Sequence, residues 1–208
     1  MATPMARKRD AVAADAPIPA ARRPSAAKVR LLEVADELFY AEGINMVGID
    51  RIIAEAGVTK ATFYKQYGSK DTLILEYIVG RDRQIRESLT ELERTAPDPA
   101  ATLRTLVDTI ISDTNRLDFR GCPFINAAAE FPDPAHPVRR AIVAHRDWFT
   151  SFLESLLERV GHPTPGAAAD ELYLLRDGAM AGGYAGDPIA ATSALTRAAE
   201  RVLREALG

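Results

Sequence analysis

The chain holds one cysteine in 208 residues, Cys122. A single thiol cannot close an internal disulfide, which excludes a disulfide-built miniprotein and agrees with a reducing compartment. No uninterrupted apolar run approaches the ~20 residues a membrane helix needs. The first twenty residues are charged and broken by prolines, without the apolar stretch of a signal peptide. Three histidines, His136, His145 and His162, share no ligand spacing, so no metal site is expected. No nucleophile–base constellation and no phosphate loop is legible, so neither an enzyme nor a bound cofactor is expected. With 47% apolar and 26% charged residues, the composition also excludes collagen and a disordered chain. The expectation is an intracellular, cytoplasmic globular protein.

Charge is unevenly placed. The net charge is -3, yet residues 1–70 hold eleven basic and eight acidic side chains, and 71–208 hold fifteen and twenty-one. All five lysines, Lys8, Lys28, Lys60, Lys65 and Lys70, fall in the first part. A basic head on an acidic body suits a polyanion-binding module joined to something else. A chance fluctuation of three charges accounts for it equally well, so motifs must decide.

The pattern is helical throughout, with no convincing strand and no repeat. Residues 1–24 mix Ala, Pro and Arg without periodicity, including Arg22 and Arg23, and read as a disordered basic arm. A helix from Ser25 to about Glu42 buries Leu31, Val34, Ala35, Leu38 and Phe39. Ile49, Ile52, Ile53 and Ala56 at i, i+3, i+4, i+7 mark a short second helix, closed by Gly57. Thr59 caps a third, from Lys60 to about Gln66, that turns Phe63 and Tyr67 inward. Ser69 caps a fourth, Lys70 to about Arg94, which Pro97-Asp98-Pro99 breaks. Further helices follow around 103–117, 124–130, 138–160, 167–185 and 188–207. The fold class is all-α.

Ile49–Tyr67, two short amphipathic helices joined by Gly57-Val58-Thr59, forms a helix-turn-helix, whose second helix can enter the DNA major groove. With Phe63 and Tyr67 facing the core, Ala61, Thr62, Tyr64 and Lys65 occupy the open faces. Small Ala61 and Thr62 let the backbone approach base edges. Lys60, Tyr64 and Lys65 can reach phosphates or bases, and the helix N-terminus capped by Thr59 suits a phosphate. A plain helical hairpin with solvated charges would show the same pattern by accident.

Three linked blocks make the pattern specific: Leu31-Leu32-Glu33-Val34-Ala35-Asp36-Glu37-Leu38-Phe39, the run from Ile49 to Tyr64, and Tyr67-Gly68-Ser69-Lys70-Asp71-Thr72-Leu73. Together they resemble the N-terminal domain of the TetR family of bacterial transcription regulators. The resemblance implies a three-helix DNA-binding domain over residues 25–72. Over 73–208 it implies a helical bundle for effector binding and dimerisation. It also implies DNA contacts from Thr59, Lys60, Thr62, Tyr64 and Lys65, with Lys70 on a phosphate. The chain departs from the family at Gly48, where Ser or Thr usually caps helix two, and at Ile53, Gln66 and Tyr67, which replace a usual alanine, histidine and phenylalanine.

Beyond residue 77 no aromatic occurs until Phe119, the first of eight. Aromatics at helical spacing serve an ordinary core or line a pocket. Phe124, Asn126, His145, Trp148, Phe149, Phe152, Tyr173, Arg176 and Asp177 form the candidate effector-contact set, within a pocket that the resemblance implies is enclosed by helices five to eight. His145, on the Ile142–Phe149 stripe, also reads as a satisfied core histidine, and Cys122 as a buried thiol rather than a redox switch. The last two helices are rich in small residues, and the resemblance implies a four-helix dimer interface there. Ala179, Gly183, Leu195, Ala199 and Val202 are its candidates.

The function these readings imply is a homodimeric regulator, a repressor in most such proteins. It would bind double-stranded DNA at a pseudopalindromic operator on the bacterial nucleoid, and a small-molecule effector would release it. An activator of the same type, a helical enzyme using the pocket, and a protein-binding adaptor are the competing readings.

Overall fold

The computed structural model describes residues 24–206. The expected arm over residues 1–24, with Arg22 and Arg23, therefore lies outside the described residues except for Pro24. Among the described residues there are nine helices and no strand: α1 (Ala26–Glu42), α2 (Ile49–Glu55), α3 (Lys60–Tyr67), α4 (Lys70–Thr95), α5 (Pro99–Thr114), α6 (Pro123–Glu130), α7 (Pro137–Arg159), α8 (Pro165–Ala185) and α9 (Pro188–Ala206). The all-α expectation holds.

Local chemistry sets the helix starts. The side chains of Ser25, Thr59, Ser69 and Asp98 each accept the backbone N–H three residues on, opening α1, α3, α4 and α5. Prolines occupy the first turn of α5, α6, α7 and α8, where a missing N–H leaves no bond unmade. Gly57 and Gly68 sit at φ +61° and +72°, a left-handed backbone that costs glycine little, so α2 and α3 stop abruptly there.

Helix α1 packs on α2, α3 and α4, closing a small core. Leu31, Ala35, Ile52, Phe63 and Leu73 are fully excluded from solvent in it. Complete burial of an aromatic such as Phe63 contributes roughly 1.5–3 kcal/mol. Helix α4 continues past this unit for most of its length and packs on α5 and α7, so the division at 72/73 falls inside one unbroken helix. The larger bundle places α5 against α7, α8 and α9, with α8 along both α7 and α9.

Small residues in α8 allow close approach within the chain. A Cβ added to Gly182 would meet the Cβ of Ala191 on α9 at 3.2 Å, and one on Gly183 would meet Thr114 Cγ2 at 3.1 Å. Ala179, Leu195, Ala199 and Val202 are 3%, 2%, 5% and 1% exposed. These four pack within the protomer, as Gly183 does against Thr114.

Polar ties join the two parts. Arg81 of α4 donates two hydrogen bonds of 2.6 Å to Asp36 of α1, and Lys28 of α1 donates to Glu76 of α4 at 2.6 Å. Tyr40 Oη donates to the Gly121 carbonyl and accepts the Arg120 N–H, both at 3.0 Å. At the end of α6, Glu130 accepts the N–H groups of Ile44 and Asn45 at 2.8 and 2.6 Å. The turn between α1 and α2 thus hangs on a carboxylate from the large bundle.

Candidate nucleic-acid interface

Helix α3 presents its chemistry outward because its apolar residues are taken by the core. Phe63 and Tyr67 are buried, while Thr59, Lys60, Ala61, Tyr64 and Lys65 are exposed and Thr62 is half-buried. The structure places five of these six on α3 and Thr59 at its N-cap. Thr59 Oγ1 accepts the Thr62 N–H at 3.1 Å and lies 2.9 Å from Thr62 Oγ1, which fixes both hydroxyls at the helix entrance. The Tyr64 ring stands edge-on to Phe63 with centroids 5.3 Å apart, so its hydroxyl end projects from a fixed base. Lys60 Nζ pairs with Asp50 of α2 at 3.1 Å, an exposed contact of little energetic weight. Lys65 makes no ion pair among the described residues and stands ready for an anion.

Lys70 sits apart from this set. Its Nζ donates to the Ile44 carbonyl at 2.7 Å and lies 5.8 Å from the centre of the Phe39 ring. Burial lowers its pKa, against the nearby Glu130 and Asp71. The ammonium read as a phosphate ligand therefore holds the α1–α2 turn, leaving only its remaining N–H bonds for a phosphate. Gly48 opens α2 without a side-chain hydrogen bond. Tyr67 uses the hydroxyl that a phenylalanine would lack, donating to the Lys28 carbonyl at 2.8 Å and tying α3 to α1.

Residues 31–77 match the bacterial regulatory proteins of the tetR family, and residues 99–185 match the tetracyclin repressor-like C-terminal domain. The crystal structure of SCO4454, a TetR-family transcriptional regulator from Streptomyces coelicolor, is 46% identical at a TM-score of 0.83 and covers 88% of this chain and 96% of that one. The chain belongs to the TetR family. Its DNA-binding helix-turn-helix and helical C-terminal domain are those of a TetR-family transcriptional regulator. The HTH-type transcriptional regulator LmrA of Bacillus subtilis is 26% identical over 130 residues, 61% of this chain and 69% of that protein. A TetR-family regulator from Agrobacterium tumefaciens, 24% identical with a TM-score of 0.75 over 86% of this chain and 98% of that one, shares the fold.

In this TetR-family chain a cavity of about 610 Å³ opens between α1, α4, α5, the loop before α6, and α8. Tyr40, Arg81, Gln84, Ser88, Thr109 and Asp113 give it polar walls, and Ile85, Leu89, Leu106, Ile110, Phe149 and Met180 apolar ones. Of the nine effector candidates, Phe149 and Arg176 line it. Asp177 stands one step behind, accepting from Arg176 Nη1 and Arg146 Nη1, each at 2.7 Å. The other six lie elsewhere. His145 is 1% exposed, stacks on Phe124 at 3.7 Å, and bonds Asp82 Oδ1 through Nδ1 at 2.8 Å. Burial lowers its pKa despite Asp82, so it is a core histidine. Trp148 stacks with Phe152 and lies under Arg86. Tyr173 packs on Phe149 and Arg146. Asn126 donates to the Arg120 carbonyl at 2.7 Å.

The sequence reading missed the walls from α1, α4 and α5, namely Tyr40, Arg81, Gln84 and Thr109, because nothing local distinguishes them from surface polar residues. Glu130 was missed for the same reason. Among the described residues no cluster of three or more His, Cys, Asp or Glu is placed to hold a metal, and no helix is long and apolar enough to cross a membrane.

Proposed function

We propose that this regulator is a homodimeric repressor that binds a pseudopalindromic operator in the cytoplasm, at the nucleoid, through the outward face of α3 and is released by a small molecule in the α1/α4/α5/α8 cavity. One observation carries this reading. The cavity and the reading head share walls and clamps: Asp36 and Tyr40 of α1 line the cavity, and Glu130 grips the turn that leads into α2. A ligand that shifts α1 or α6 relative to α4 would then move α3. Such coupling requires different affinities for the two arrangements. Thr59, Lys60, Ala61, Thr62, Tyr64 and Lys65 make the DNA contacts, and Lys70 acts chiefly through the turn it holds.

The second subunit docks on the outward stripe of α8 and α9. Leu174, Tyr184 and Ile189 are 67%, 47% and 77% exposed there, with Gly178, Ala181 and Ala185 exposed between them. Two reading heads on a two-fold axis suit a pseudopalindrome. The test is a gel-shift titration on the DNA flanking the protein's own gene, with sedimentation of the free protein. The expected result is a shift by a dimer, lost when Lys65 and Tyr64 are both replaced by alanine. A monomer at micromolar concentration, or no shift on any palindrome in that DNA, overturns the reading.

A further inference from the structure

The deep end of the cavity carries an unusual charge. Arg176 is 8% exposed, yet both of its hydrogen bonds among the described residues leave from Nη1, to Asp177 Oδ1 at 2.7 Å and to Cys122 Sγ at 3.3 Å. Nε and Nη2, the fork that matches a carboxylate, have no partner there. Arg176 lines both the large cavity and a narrow apolar slit between α5, α8 and α9, so the two share this one cationic residue. Its counter-charge is shared, because Asp177 also takes Arg146 at 2.7 Å. Two guanidinium groups on one carboxylate leave one positive charge over, in surroundings that screen it poorly.

We propose that the ligand of this cavity is an apolar molecule bearing a single carboxylate, seated on the Nε/Nη2 edge of Arg176. This rests on the reading of the cavity as the ligand site and names its ligand class. A planar monoanion fits the fork with two parallel hydrogen bonds and matches the surplus charge one for one. A phosphate dianion would overfill it, and a cation would meet a like charge. Ile85, Leu89, Leu106, Ile110, Phe149 and Met180 then cover the apolar body. A space of about 610 Å³ lies within the ordinary range for small-molecule sites. Of the four carboxylates along the cavity, Asp36 is paired with Arg81 and Asp118 with Arg116, Asp113 lies 4.0 Å from Arg116, and Glu37 is exposed to solvent.

The test is isothermal titration of the full chain with three ten-carbon probes that differ in the head group: decanoate, decanol and decylammonium. Decanoate binds the wild type at least tenfold more tightly than either of the others. Arg176→Gln loses at least tenfold for decanoate and leaves decanol unchanged. Leu106→Trp, which fills the cavity without touching Arg176, weakens decanoate and so locates the site should Arg176→Gln fail to fold. Equal binding of the three probes, binding of none, or full decanoate affinity in a folded Arg176→Gln overturns the proposal. Gel shifts with the same probes separate the two readings. Selective decanoate binding that leaves DNA affinity unchanged supports the ligand class and ends the release mechanism. Release by decanol or the ammonium but not the acid does the reverse.

Discussion

At the reading head Lys60 and Lys65 stand in solvent on the outer side of a two-turn helix, whereas at the cavity Arg176 is buried and held by Asp177 and Cys122. Both sites are cationic, but their settings differ. The exposed lysines gain little from any single contact and lose it to salt, so DNA affinity has to come from many contacts in two heads. The buried guanidinium has given up most of its hydration, so one well-shaped partner satisfies it and a wrong one leaves it unmet. A surface cation suits additive, salt-tuned binding to a polymer; a buried one suits selection of a small molecule.

The sharpest way to break this comparison is to remove the support of the exposed side. Phe63→Ala empties the centre of the small core and should cost about 3–5 kcal/mol, measured by urea unfolding, with DNA binding lost alongside. Next comes the link between the two settings. Glu130→Ala leaves the Ile44 and Asn45 N–H groups without their carboxylate, an expected loss of about 1.5–3 kcal/mol. If Glu130 transmits the cavity's state, the variant also loses ligand-dependent DNA release while still binding ligand by calorimetry.

Smaller changes sharpen the contrast. Lys65→Ala should weaken operator binding about tenfold and reduce the slope of log affinity against log salt by about one, with thermal stability unchanged. In the interior, the pKa of His145 is held below the usual imidazole value by burial. The unfolded chain therefore takes up the proton first, and this contribution is complete above about pH 6.5 and declines as the pH falls. Melts on either side of that pH should show the loss, at most about 1.4 kcal/mol per pH unit for one proton, and His145→Gln should flatten it. Least of all, Gly48→Ser gives α2 the cap it lacks, in a position where nothing lies within 4 Å of an added Cβ. The expected gain is about 0.5–1 kcal/mol, read as a raised melting temperature.

Legibility in the sequence followed the range of the interactions. The caps at Thr59 and Ser69, the stop at Gly57, and the inward pair Phe63 and Tyr67 all act within four residues. They could be read directly and placed the open face of α3. Phe149 and Arg176 were read into the cavity, but His145, Trp148 and Tyr173 were grouped with them only because aromatic clustering does not say which ring faces a void. The dimer candidates Ala179, Leu195 and Val202 are buried within the protomer; small residues permit close approach, but composition does not name the partner.

By itself the sequence determined that the chain is helical, where the first four helices begin, and which side of the reading helix stays open. Those outcomes rest on backbone hydrogen bonds and on i to i+3 and i+4 contacts inside one segment. Only the tertiary structure decided that Tyr40 and Arg81 line one cavity with Arg176, that Glu130 reaches the α1–α2 turn, and that Lys70 is held by Ile44. Each of these joins residues tens of positions apart, and their distance and burial exist only once separate helices have packed.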